Sequence, residues 1–179
     1  MNLADDRFKA ERKLKIQALR DVVIALNLEA KPLFFDCCDS RLAEIYNGIG
    51  PQKFDAFGVF DLSERAQEVL GLATREALTK ILKCYEPAAL VHDWDCHYLP
   101  KTDAGFEEAS DRFKRNCERI GRTLADAELE ASPPAWWRRW LFAEGWVRET
   151  AIKYKYSALA SIMYRAVHCE TGKTAFLQG

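Results

Sequence analysis

The stretch from Phe106 to Leu124 constrains the fold most. Phe106, Ala109, Phe113, Cys117, Ile120 and Leu124 recur at spacings of 3, 4, 4, 3 and 4 residues. That period places all six side chains on one face of an α-helix, which must be buried against a neighbour. A strand would instead require alternation with period two. No alternating run of β-branched residues bounded by turns occurs in the 179 residues. The pattern predicts an all-α chain. A length within the usual span of one domain makes it a single-domain helical bundle of about six to seven helices.

The remaining helices follow from punctuation. Residues 5–28 open with a charged half and then place Leu19, Val22, Val23 and Leu26 at helical spacing, so residues 1–30 form an N-terminal helix. Lys31-Pro32 is expected to end it. Leu33-Phe34-Phe35 reads as an apolar link, and Asp36 to Tyr46 as a short helix running into the turn Asn47-Gly48-Ile49-Gly50-Pro51. Asp61 and Glu64 fit a capping box that opens a helical stripe to Leu82. Glu86-Pro87 starts a helix that ends at Leu99-Pro100, and Asp103 is placed to cap the next. Ser132-Pro133-Pro134 restarts the chain into a long helix from 133 to about His168, and Gly172 marks a loose C-terminus.

The longest apolar runs are about five residues, as in Val22 to Leu26, far below the roughly 18 that a bilayer span needs. No basic segment followed by an apolar one opens the chain, so the default expectation is a cytoplasmic protein. Its six cysteines form no CxxC pair, and no disulfide framework is expected. Cys37 and Cys38 read as small buried residues. A net charge of −1 argues against nucleic-acid binding through a basic surface. That near-neutrality conceals a division. Residues 86–132 carry six basic and eleven acidic side chains, whereas 133–179 carry seven basic and three acidic. The two segments either attract each other or present faces with different tasks.

The helix at 87–99 is anomalous. Leu90, Val91, Trp94, Tyr98 and Leu99 surround its axis, which predicts burial. Yet it carries His92, Asp93, Asp95 and His97, including two of the three histidines in the chain. Buried carboxylates need an ion-pair partner or a metal. The helix therefore holds either a functional site or a structural ion-pair network. His92 and Cys96, four residues apart, share a face and suit zinc. Any further ligands, such as Cys84 or Cys117, stand at no recognised spacing. An oxygen-ligand site is the other metal reading. Tyr46-Asn47-Gly48-Ile49-Gly50 is a Y-x-G-x-G loop whose glycines let successive carbonyls converge, as calcium requires.

Together, Tyr46-x-Gly48-x-Gly50-Pro51, His92-Asp93 and the helix containing Ser110-Asp111-Arg112-Phe113 resemble the phospholipase A2 superfamily. The likeness is greatest to the disulfide-free type found in parvovirus capsid proteins. The block Glu86-Pro87-Ala88-Ala89-Leu90-Val91-His92-Asp93 is also similar to uncharacterised bacterial and phage proteins with an E-P-A-x-L-I-H-D motif. The likeness spans residues 46–117, and the site core it implies runs over 46–124. It implies a calcium-dependent lipid ester hydrolase with His92 as general base. Asp93 and the carbonyls of Tyr46, Gly48 and Gly50 would hold Ca²⁺. Ser110 or Asp111 would orient the imidazole, and the helical wheel puts Ser110 on the Phe106/Phe113/Cys117 face and Asp111 nearly opposite. The competing expectation is a noncatalytic structural or interaction protein, virion-associated in a bacterium or phage, that keeps the helical core. The lipase reading also implies export without a signal segment, or carriage in a virion.

Trp136, Trp137, Trp140 and Trp146, interleaved with Arg138, Arg139 and Arg148, suit an interfacial helix on a phospholipid surface. They suit equally a core-facing stripe whose arginines pair with the acidic middle. His168 reads as polar surface.

Overall fold

The computed structural model describes residues 3–48, 80, 82–131 and 142–178. These form α1 (Leu3–Ala25), α2 (Pro32–Asp36), α3 (Asp39–Ile45), α4 (Glu86–Tyr98), α5 (Asp103–Ala131), α6 (Phe142–Val167) and α7 (Glu170–Gln178). No strand occurs among the described residues, and the all-α expectation holds. The expected helix from Asp61 to Leu82 falls almost entirely outside them. No helix among the described residues is long and apolar enough to cross a membrane.

α1 stops earlier than the proline predicts. Asn27 adopts a left-handed φ of 49°. Its N–H donates to the Ile24 carbonyl at 3.0 Å, and the Leu28 N–H to the Val23 carbonyl at 2.9 Å. This is a Schellman ending, with the buried pair Val23 and Leu28 as its apolar contact. Pro32 does not end α1; it starts α2, where its missing N–H is harmless. Leu33-Phe34-Phe35 is therefore helical, and Phe34 is fully buried. The expected helix from Asp36 to Tyr46 is shortened to α3, with Asp39 in its first turn. Cys38 is exposed and Cys37 half-buried, which corrects their reading as buried residues.

α4 is the central element, packed on α1, α3 and α5. Its residues from Glu86 to Val91 are buried without interruption, as are Trp94 and Asp95, but Tyr98, which the all-round apolar pattern also placed inside, is exposed. α5 is 29 residues long, about 44 Å at 1.5 Å per residue. It lays Phe113, Cys117 and Ile120 on the main core and Phe106 and Ala109 on a smaller cluster with Leu99 and Phe176. Thr102, rather than Asp103, caps α5: its Oγ1 accepts the Gly105 N–H at 3.2 Å. α6 lies closely along α5, where a Cβ at Gly121 would stand 3.2 Å from the Tyr156 carbonyl oxygen.

The C-terminus is not loose. Residues 170–178 form α7, which inserts Phe176 beside Phe106. Nor is His168 plain surface. It is half-buried, stacks on Phe106 and on Tyr164, and has Nε2 3.0 Å from Glu107. The acidic and basic segments do meet. Lys155 pairs with Glu128 at 2.6 Å and Lys173 with Asp103 at 3.0 Å. Such partly exposed pairs contribute about 0–1 kcal/mol each. They fix register more than stability.

Candidate functional site

A cavity of about 590 Å³ lies between α3, α4, α5 and the C-terminal end of the chain. One wall is apolar, built from Phe106, Phe113, Met163, Val167 and Phe176. The rest of the rim includes His92, Asp93, Asn47, Gly48, Arg41, His97 and Lys101. The fold thus brings the His-Asp pair and the start of the glycine loop to one cavity, although 44 sequence positions separate Gly48 from His92. Gly50 lies outside the described residues. Gly48 has a φ of 75°, a left-handed conformation that glycine adopts without strain.

His92 projects from α4 toward α5. Its ring centre is 4.9 Å from that of Phe113, and its Nε2 is 3.5 Å from the Cys96 Sγ. Its Nδ1 is enclosed and has no hydrogen-bond partner. Burial pushes the imidazole down to about 4, with the Ala109 backbone pulling weakly the other way. The ring is therefore neutral at pH 7. Burial also pushes the Cys96 thiol up to about 12, helped by Asp93 and Asp95 and opposed by Lys101. The Cys96–His92 pair is an uncharged contact rather than an ion pair. Among the described residues no three His, Cys, Asp or Glu side chains cluster as metal ligands, and the zinc reading gains no third ligand.

Ser110 is fully buried with its Oγ unpartnered, whereas Asp111 is exposed and, after burial, helps to raise the pKa of the Tyr164 hydroxyl of α6. The helical wheel was right about their faces. Asp111 is thus not on the cavity side, and the imidazole lacks a carboxylate from this helix. A buried serine can hold an imidazole but cannot stabilise an imidazolium as a carboxylate does.

Two described members of the expected calcium set are already engaged by donors of the chain itself. The Tyr46 carbonyl accepts the Arg12 Nη2 at 2.6 Å, so a guanidinium stands where a cation would be repelled. The Asp93 Oδ2 accepts the Asn47 N–H at 2.7 Å. The loop therefore turns a donor, not a carbonyl, toward that oxygen. Asp93 anchors the loop to α4.

The structural ion-pair network expected as the bland alternative is also present, one turn further along. Asp95 is fully buried, with Oδ1 2.5 Å from the Arg112 Nη1. Arg112 also holds Glu108 at 2.6 Å, and Glu108 holds Lys31 at 2.6 Å. Burial dominates at Asp95 and pushes its carboxyl up to about 6 despite Arg112. On α4, Asp95 thus serves the network while His92 lines the cavity.

Lys101 and Asn47 were not singled out from the sequence. Asn47 acts through its backbone, which carries no residue signature. Lys101 follows a helix-ending Leu99-Pro100, and only the fold of that turn brings it to the rim. Of the tryptophans, Trp136, Trp137 and Trp140 lie outside the described residues, while Trp146 is 69% exposed on α6 beside the exposed Val147. Comparison of the chain with known protein families, curated proteins and solved structures gives no match.

Proposed function

We propose that the cavity binds the acyl part of a lipid-like molecule, in a helical core that resembles phospholipase A2 without a working calcium centre. The observation that carries this reading is the cavity itself. Its volume is in the range of roughly 300–1,000 Å³ usual for small-molecule sites, and its lining combines apolar side chains with a few polar groups. Burying an alkyl chain there is favourable by about 0.8 kcal/mol per methylene removed from water. The exposed Trp146 and Val147, next to Arg148, support contact with a lipid surface as the source of the ligand. Nile red, a neutral apolar dye, tests the reading. It should bind with saturation and be displaced by dodecanol, and Ala166→Phe, which fills the cavity wall, should abolish both effects.

A second reading is hydrolysis of the bound ester with His92 as base. One observation favours it: a neutral imidazole lines the cavity and can accept a proton from water. Low basicity, the serine at position 110 and the Arg12 guanidinium on the Tyr46 carbonyl oppose it. Phosphatidylcholine vesicles separate the two readings. If fatty acid is released by the parent and not by His92→Ala, hydrolysis is the function. If neither protein releases it while dodecanol still binds, the site is a binding site.

A further inference from the structure

The two cations on the cavity rim differ in how they are engaged. Arg41 is committed: its Nη1 lies 2.8 Å from Glu44, its Nη2 2.8 Å from the His97 Nε2, and its Nε 3.3 Å from the Tyr98 hydroxyl. Lys101 is not. Its Nζ donates to the Cys96 carbonyl and lies 4.8 Å from the centre of the Phe176 ring, and no carboxylate pairs with it among the described residues. The rim carboxylates are engaged elsewhere, Glu44 by Arg41 and Asp93 by the Asn47 N–H. The Cys96 thiol stays protonated and supplies no counter-charge.

An ammonium held over an aromatic ring in the lining of a largely apolar cavity is complementary to an amphipath with a terminal anionic group. We propose that Lys101 is the charge-recognising residue of this cavity, receiving the anionic oxygens of a long-chain acid whose alkyl chain lies along Phe106, Phe113 and Phe176. This rests on the reading of the cavity as an acyl-binding site and names the class of ligand: an alkyl chain ending in an anionic oxygen group, such as a carboxylate or a phosphate monoester. The Lys101 ammonium is held between the Cys96 carbonyl and the Phe176 ring, both at residues that line the cavity. Two of its three N–H donors remain after the Cys96 carbonyl takes one.

Displacement of Nile red by four probes of equal chain length tests this: dodecanoate, dodecyl phosphate, dodecanol and dodecyltrimethylammonium, each below its micelle-forming concentration. The parent should bind dodecanoate about tenfold more tightly than dodecanol, a difference of about 1.4 kcal/mol, and the cationic probe most weakly. Lys101→Met keeps the apolar stem and should bring dodecanoate down to the dodecanol level without changing dodecanol itself. That unchanged affinity also shows that the variant is folded. Lys101→Arg should retain the preference. Whether dodecyl phosphate or dodecanoate binds more tightly identifies the source as a phosphate ester or a free acid, and either preference upholds the role of Lys101. Equal binding of dodecanoate and dodecanol to the parent, or a preference that survives in Lys101→Met, overturns it. If dodecanol also fails to displace the dye, the acyl-site reading falls, and this proposal falls with it.

Discussion

Asp93 on α4 and Asn47 in the loop after α3 are joined by a 2.7 Å hydrogen bond from the Asn47 backbone N–H to the Asp93 Oδ2. The carboxylate that the family resemblance assigns to calcium thus ties a glycine turn to the central helix. A bond from an N–H to a charged acceptor contributes about 1.5–3 kcal/mol when sheltered, and less at this partly exposed position. Asp93→Ala should lower unfolding free energy by about 1 kcal/mol in urea titrations. Millimolar Ca²⁺ should leave the Tm of the parent unchanged, whereas an ion at a hundred times its dissociation constant would add about 2.7 kcal/mol. A calcium-dependent rise that Asp93→Ala removes would restore the metal reading.

The buried pair Asp95–Arg112 should behave asymmetrically. Arg112→Ala leaves the Asp95 carboxylate buried without its partner and should cost about 3–5 kcal/mol. The double variant Asp95→Leu, Arg112→Met replaces both charges by apolar groups and should recover most of that loss. Urea denaturation of the three proteins checks the order. A double variant as unstable as the single one would show that the pair supplies net stability.

His92 and Asp95, three residues apart on α4, should oppose each other in the pH dependence of stability. His92 is lowered from an ordinary 6.5 to about 4, so the unfolded chain binds its proton more tightly. Its effect is that stability rises with pH between about 4 and 6.5. Asp95 is raised from 3.8 to about 6, so the folded chain binds its proton more tightly, and stability falls with pH over nearly the same window. Each effect is on the order of 3 kcal/mol, and they largely cancel. His92→Asn should leave a protein that loses stability from pH 4 to 6, and Asp95→Asn one that gains it. Urea midpoints at half-unit pH steps give the slopes. Parallel slopes in both variants would contradict the assignment.

Ser110 offers a test of a buried orphan. Its Oγ is enclosed without a partner, and leaving a hydroxyl unpaired costs about 1–3 kcal/mol. Ser110→Ala should therefore be neutral or stabilising. If Ser110 instead holds the His92 ring, the alanine variant should shift the His92 titration seen by NMR.

Much of the fold was legible because it rests on local periodicity. The α5 stripe, the buried first half of α4 and the Glu86-Pro87 start all appear as read. The misreadings came where tertiary context decides. Asn27 in a left-handed conformation ended α1 six positions before Lys31, and nothing in the local spacing favours it over the proline. Gly172 looked like an ending, yet α7 is held by Phe176 against Phe106, a contact between residues 70 positions apart. At the site, residue types located His92, and the wheel separated Ser110 from Asp111. The engagement of the Tyr46 carbonyl by Arg12 and of Asp93 by a backbone N–H involves main-chain atoms, which residue identity does not reveal.

Calorimetric titration of dodecanol into the parent and into Ala166→Phe, both in EDTA, tests the central claim most directly. Dodecanol should bind the parent one-to-one with a negative heat-capacity change, the mark of apolar burial, and should not bind the filled variant. No binding to the parent, binding that requires added Ca²⁺, or equal binding to both proteins would contradict it.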